Sequence, residues 1–146
     1  MASNDVRTYD ADSVVVLVSG VAMTGLEEDS FVTITRAAPR FTAKAGADGE
    51  IARSKGTNPL HTVVITLQAT SMSNTFLSGL ATLDEVSNGA GAFPISVNDL
   101  RGGTHFMAAQ AWISEDPEID YGAEAGSRQW TIQTGRPAIK SIGGNG

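Results

Sequence analysis

Apolar residues in this chain recur at every second position, in short runs broken by glycine and aspartate. Residues 62–70 show the pattern most fully: Val63, Ile65, Leu67 and Ala69 alternate with Thr66, Gln68 and Thr70. Successive side chains of an extended strand point to opposite faces, so this run predicts a strand with one apolar face and one that is polar but uncharged. The same period returns at 31–36, where Val32 and Ile34 oppose Thr33 and Thr35, and at 93–100, where Phe93, Ile95 and Val97 oppose Pro94, Ser96 and Asn98. It returns again at 128–134, with Trp130 and Ile132 inward and Gln129, Thr131 and Gln133 outward. Residues 13–19 are apolar throughout Val14–Val18 and read as a strand buried on both faces. A further long strand, rich in small residues at Ala108, Ala109 and Ala111, is predicted over 104–114. Pro94 lacks the N–H a ladder needs, which places its strand at an edge or Pro94 among the strand's first residues.

Two segments depart from this plain alternation. Phe76, Leu77, Leu80, Ala81 and Leu83 follow helical spacing, with Ser71 or Ser73 placed to cap the start and Gly89 just past the end. Residues 40–45 and 50–54 flank Gly46-Ala47-Asp48-Gly49, and an Asp-Gly pair between two extended runs predicts a β-hairpin. Its strands carry few large apolar residues, so the hairpin is expected to project from the domain. Together these elements predict a mostly β fold, a sandwich or partly closed barrel of about seven or eight strands with one packed helix. A chain of 146 residues is expected to form a single domain over 1–146, with a flexible N-terminal arm and a flexible glycine-rich tail, Gly143-Gly144-Asn145-Gly146.

Composition narrows the chemistry. The chain has no cysteine, which excludes disulfides, thiolate metal sites and cysteine nucleophiles. His61 and His105 are the only near-neutral bases; neither sits in a metal-ligand spacing, and both read as edge or packed residues. There is no nucleophile elbow, phosphate loop or dinucleotide fingerprint, so no enzyme and no cofactor are expected. The acidic run Glu115, Asp116, Glu118, Asp120 fits no cation-ligand spacing and reads as a solvated turn, a source of repulsion or an inter-subunit contact with Arg128. With ten scattered basic residues and a net charge of −6, the chain is not built to grip phosphates, whereas an acidic surface lets DNA pass without sticking. No apolar run approaches the ~20 residues of a membrane span, and no leader pattern is visible, so the chain is expected to stay in the cytoplasm in which it is made.

The order of several segments resembles a known family. Gly46-Ala47-Asp48-Gly49-Glu50-Ile51-Ala52-Arg53-Ser54, then Thr62-Val63-Val64-Ile65-Thr66-Leu67, then Thr70-Ser71-Met72-Ser73-Asn74 resemble the tail tube protein of contractile-tailed bacteriophages. Gly91-Ala92-Phe93-Pro94-Ile95, Ala109-Gln110-Ala111-Trp112-Ile113, and Gly122-Ala123-Glu124-Ala125-Gly126 ahead of Arg128-Gln129-Trp130 agree in the same order. The resemblance implies a virion subunit, assembled in the host cytoplasm, that forms hexameric rings. In that family the rings stack into the inner tail tube, meet the sheath, baseplate and tape measure proteins, and conduct DNA into the host.

On this reading the hairpin, with Arg40, Phe41, Lys44, Asp48, Gly49, Glu50 and Arg53, is the candidate contact between rings or neighbours. Thr66, Gln68, Thr131 and Gln133 are the candidate lumen-facing residues. A tube protein of a related injection or secretion machine is the alternative. A baseplate or fibre binding module predicts exposed aromatics, and the strand patterns place both Trp112 and Trp130 in the core.

Overall fold

The computed structural model describes residues 6–28 and 30–145; Asp29, the first five residues of the N-terminal arm, and Gly146 lie outside the described residues. The strands are β1 (Val14–Val18), β2 (Val21–Ala22), β3 (Val32–Arg36), β4 (Phe41–Ala45), β5 (Ile51–Lys55), β6 (His61–Gln68), β7 (Phe93–Asp99), β8 (His105–Glu115), β9 (Ser127–Thr134) and β10 (Ile139–Ser141). The helix α1 spans Ser73–Val86 between β6 and β7. Among the described residues eight strands form one antiparallel sheet in the order β2-β1-β7-β8-β9-β6-β3, with β10 added to β8, while β4 and β5 pair only with each other. Two short strands, β2 and β10, carry too few residues for alternation to reveal them.

The sheet is not a closed barrel. It ends in β2 and β3, yet Val14 of β1 and Val32 and Ile34 of β3 line one cleft with Val97 and Phe106, so the sheet curls until its two ends face each other. Inside the curl, Val16, Val18, Val63, Ile65, Leu67, Phe93, Ile95, Val97, Phe106, Trp130 and Ile132 form the core. Every second residue of β6 from His61 to Leu67 is buried, as the two-residue period requires.

The length of β8 explains how it holds three neighbours. One edge pairs with β7; the other pairs with β10 at residues 105–107 and with β9 from Ala111 onward. Between Phe93 and Ile95 the register of β7 against β8 shifts by a bulge. Phe106 and Ala108 are buried before the shift and Ala111 after it, so the inward face passes from even to odd positions. Trp112 is therefore turned out beside Gln133, half-buried on the outer face, and the expectation that it joins the core is corrected. Pro94 is the second residue of β7, a strand flanked by β1 and β8, and its carbonyl accepts a 2.8 Å bond from the Ser19 N–H.

Helix α1 packs Leu77, fully buried, with Phe76 and Leu80 partly buried against the core. Leu83, expected on that face, is 56% exposed. Of the two serines, Ser71 serves the first turn, its Oγ accepting the Ser73 N–H at 3.1 Å, while Ser73 Oγ instead accepts the Thr24 N–H at 3.0 Å. The far end closes with the Gly89 N–H donating to the Asp84 carbonyl at 2.9 Å. The indole N–H of Trp130 donates to Asn74 Oδ1 at 2.9 Å, tying the helix to the sheet. The glycine-rich tail, expected to be free, is held as far as Asn145: its amide donates to the Asp10 carbonyl and to Asp99 Oδ1, at 2.9 and 3.1 Å.

Candidate functional site: an uncharged sheet face and a projecting hairpin

Register decides which polar residues share a surface. Across β6 and β9 the Cα partners are Thr62 with Gln133, Val64 with Thr131, Thr66 with Gln129 and Gln68 with Ser127. Directly paired residues lie on the same side of a sheet, so Thr66, Gln68, Thr131 and Gln133 all sit on one face, opposite the core. Thr33 and Thr35 extend it onto β3, where they pair with Val64 and Thr62, and Trp112 extends it onto β8. No lysine or arginine of β3, β6 or β9 is on this face, because Arg36 pairs with buried His61 and Arg128 with buried Leu67. Glu115, beside Thr131, brings a negative charge to its margin.

The hairpin stands apart from that face. Every residue of β4 and β5 is exposed, including Ile51 at 70%. Its end is closed locally: the Gly46 N–H donates to the Glu50 carbonyl at 2.7 Å, and the Glu50 N–H to Asp48 Oδ1 at 3.1 Å. Gly49 takes a left-handed φ of 86°, the conformation that glycine adopts without steric cost. On one side of the ribbon the Arg53 guanidinium lies 4.1 Å from the Phe41 ring centroid, a cation–π contact worth about 0.5–1 kcal/mol at an exposed site. Arg40 sits at the base, its carbonyl accepting the Gly56 N–H, while Lys44 has no carboxylate partner among the described residues.

The hairpin leaves the sheet between Arg36 and His61, where the basic groups gather. His61 is buried, its Nδ1 bonded at 2.7 Å to the Pro59 carbonyl and its Nε2 at 2.9 Å to Lys140 Nζ. The Pro59 carbonyl can only accept, so Nδ1 carries the proton and Nε2 accepts from the ammonium. Burial pushes the imidazole below its ordinary pKa; the Pro59 bond opposes this, and the Lys140, Arg36 and Arg40 charges reinforce it. Lys140 is likewise lowered, by burial and then by Arg40 and Arg36. The neutral imidazole accepts from the Lys140 ammonium and fixes its position. At Asp99 burial raises the carboxyl, but donors from Arg101, Ser13, Gly102 and Asn145 together hold it below the ordinary value. The acidic run at 115–120 gathers no cation-binding cluster among the described residues, and Arg128 meets it within the chain, donating to the Asp120 carbonyl at 3.3 Å.

The comparisons with known proteins agree with this architecture. The model of the bacteriophage PhiTE tail tube protein family matches residues 12–142. The chain belongs to that family. It is a structural tail tube protein, a component of the phage virion and not an enzyme. A curated relative of this tail tube protein, structural protein ORF10 of Pseudomonas phage KPP10, is 29% identical over 132 residues, covering 86% of this chain and 76% of the relative. Two solved structures share the tail tube fold. The tube-terminating cap of the anti-feeding prophage has a TM-score of 0.53 at 12% identity, covering 97% of this chain and 100% of that one. A chain of the PVC extracellular contractile injection system, from its extended sheath–tube complex, has a TM-score of 0.57 at 10% identity, covering 92% and 93%. Among the described residues no helix is long and apolar enough to cross a membrane.

Proposed function

We propose that this tail tube subunit forms hexameric rings that stack into the inner tube of a contractile tail, and that DNA passes through the tube into the host cell. The observation that carries the reading is the uncharged face of β3, β6 and β9, with Thr66, Gln68, Thr131 and Gln133 as the lumen wall. A basic wall would neutralise phosphates and retain the genome, since a handful of phosphate contacts changes affinity by orders of magnitude. Threonine and glutamine offer hydrogen bonds that water replaces at little cost.

The open sheet supplies the means of closing a ring. Among the described residues the outer edge of β3 and most of the outer edge of β1 have no strand partner, leaving backbone donors and acceptors that a neighbouring subunit can pair. Repeating one heterologous contact around an axis removes these edges from every subunit at once. The hairpin, with Arg40, Phe41, Lys44, Asp48, Gly49, Glu50 and Arg53, reaches a neighbour or the next ring. On this reading the single domain assembles in the host cytoplasm, with sheath, baseplate and tape measure proteins as its partners in the tail. The likeness to a chain from a sheath–tube complex of an injection system supports sheath contact and keeps a tube of such a machine as the second reading.

Deleting residues 47–49 tests the hairpin's part. The shortened chain is expected to fold, since the hairpin residues bury nothing against the core, but to stop at monomers or single rings in negative-stain micrographs. Long tubes from this variant refute the assignment.

A further inference from the structure

Charge is sorted along the strand axis on the β3–β6–β9 half of the sheet. At the end where β6 begins, Arg36 pairs across from His61, Lys140 donates to His61, Arg136 lies two residues after Thr134, the β9 partner of His61, and Arg40 stands at the hairpin base. Toward the other end, Glu27 donates its N–H to the Thr66 carbonyl, and Glu115, paired with Thr131 opposite mid-strand Val64, leads into the acidic loop. The β8–β9 loop, which enters β9 at Ser127 opposite Gln68, adds Asp116, Glu118, Asp120 and Glu124 there, outnumbering Arg128, which pairs with Leu67 and donates to the Asp120 carbonyl. The eight residues of β6 put about 23 Å between the two ends at ~3.3 Å per residue. The two groups cannot neutralise each other within one chain, and the single ion pair among the described residues, Arg101 with Asp10 at 3.7 Å, involves neither. Asp48 and Glu50 of the hairpin lie at its tip, away from the basic base.

We propose that these ends are a head-to-tail docking pair, the basic end at Arg36, Arg40, Arg136 and Lys140 receiving the acidic β8–β9 loop of a second copy of this chain. The inference rests on the stacked-tube reading and adds to it the surfaces that meet and the direction in which they meet. Like ends repel, so an inverted copy is rejected before the hairpin engages, and growth proceeds with one polarity. The occupant is another copy because the complementary loop belongs to this same sequence. Nucleic acid is disfavoured because the acidic loop of every copy lies on the same half of the sheet.

Exposed side chains carry the test, so that folding is preserved. Arg40→Glu with Arg136→Glu, and separately Glu115→Lys with Asp116→Lys, are each expected to cut the polymerised fraction about ten- to a hundredfold, as loss of a few exposed ion pairs implies. A mixture of the two variants is expected to recover stacking, and wild-type tubes to shorten as salt is raised past the ~10 Å screening length of 0.1 M. Circular dichroism verifies that each variant is folded. Normal tubes from both folded variants, or no recovery in the mixture, overturn the charge pairing and leave the tube reading standing. Wild-type chain that forms neither rings nor tubes at any salt or concentration overturns the tube reading, and this inference with it.

Discussion

Replacing Leu77 with alanine separates the helix's structural role from any role in assembly. Leu77 is the one fully buried apolar side chain of α1, with 0% exposure. Truncation removes three carbon atoms from the core, about 2.4 kcal/mol at ~0.8 kcal/mol per methylene. The cavity left between helix and sheet adds a further term, since the backbone is held by the Trp130–Asn74 bond and cannot collapse fully. The sum is about 3–4 kcal/mol, inside the range for buried leucines. A domain of this size has roughly 7–20 kcal/mol in total, so the variant is expected to remain folded. With a urea m-value of about 2 kcal/mol/M, the midpoint drops by about 1.5–2 M, followed by circular dichroism and tryptophan fluorescence. Leu83→Ala, on a side chain 56% exposed, is expected to change stability by under ~1 kcal/mol. A midpoint shift below about 0.5 M for Leu77→Ala, or equal shifts for both variants, refutes the packing described for α1.

Two further perturbations test local features. His61 has its folded pKa lowered from 6.5, so the unfolded chain binds more protons in the window just below that value and stability falls as pH drops through it. Urea midpoints of wild type between pH 7.5 and 5.5 are expected to fall more steeply than those of His61→Gln, and parallel curves contradict the buried neutral imidazole facing Lys140, Arg36 and Arg40. Gly25 has a φ of +68°, and a Cβ there would lie 2.6 Å from Ser71 Cβ, so Gly25→Ala is expected to cost more than about 2 kcal/mol. A thermal melt within a degree or two of wild type removes that close approach from the account.

Much of the site was legible because a strand's period is local. Thr66 and Gln68, or Thr131 and Gln133, share a face whenever their segments are extended, and the Asp48-Gly49 turn closes a hairpin from its own residues. Other features depend on register between distant segments. The β7–β8 bulge changes the parity of β8, so Trp112, which follows the alternation of a core residue in sequence, is turned outward. The basic end is hidden for the same reason, since Arg36 is far in sequence from Arg136 and Lys140 and is brought to them only through antiparallel pairing. Leu83 satisfies the helical spacing, yet it is exposed and takes no part in the core that Leu77, Phe76 and Leu80 join.

The sequence by itself therefore determined the mostly β composition, the place of the helix, the projecting hairpin and the uncharged polar faces, because each follows from residues within a few positions of one another. Only the tertiary structure decided that β6 and β9 merge their polar faces into one surface, that β10 and Asn145 hold the tail, that the sheet stays open, and that charge separates to its two ends. Those outcomes depend on which strands become neighbours and in what register. Neighbour choice is set by the burial of the whole core, a sum over segments that no local pattern contains.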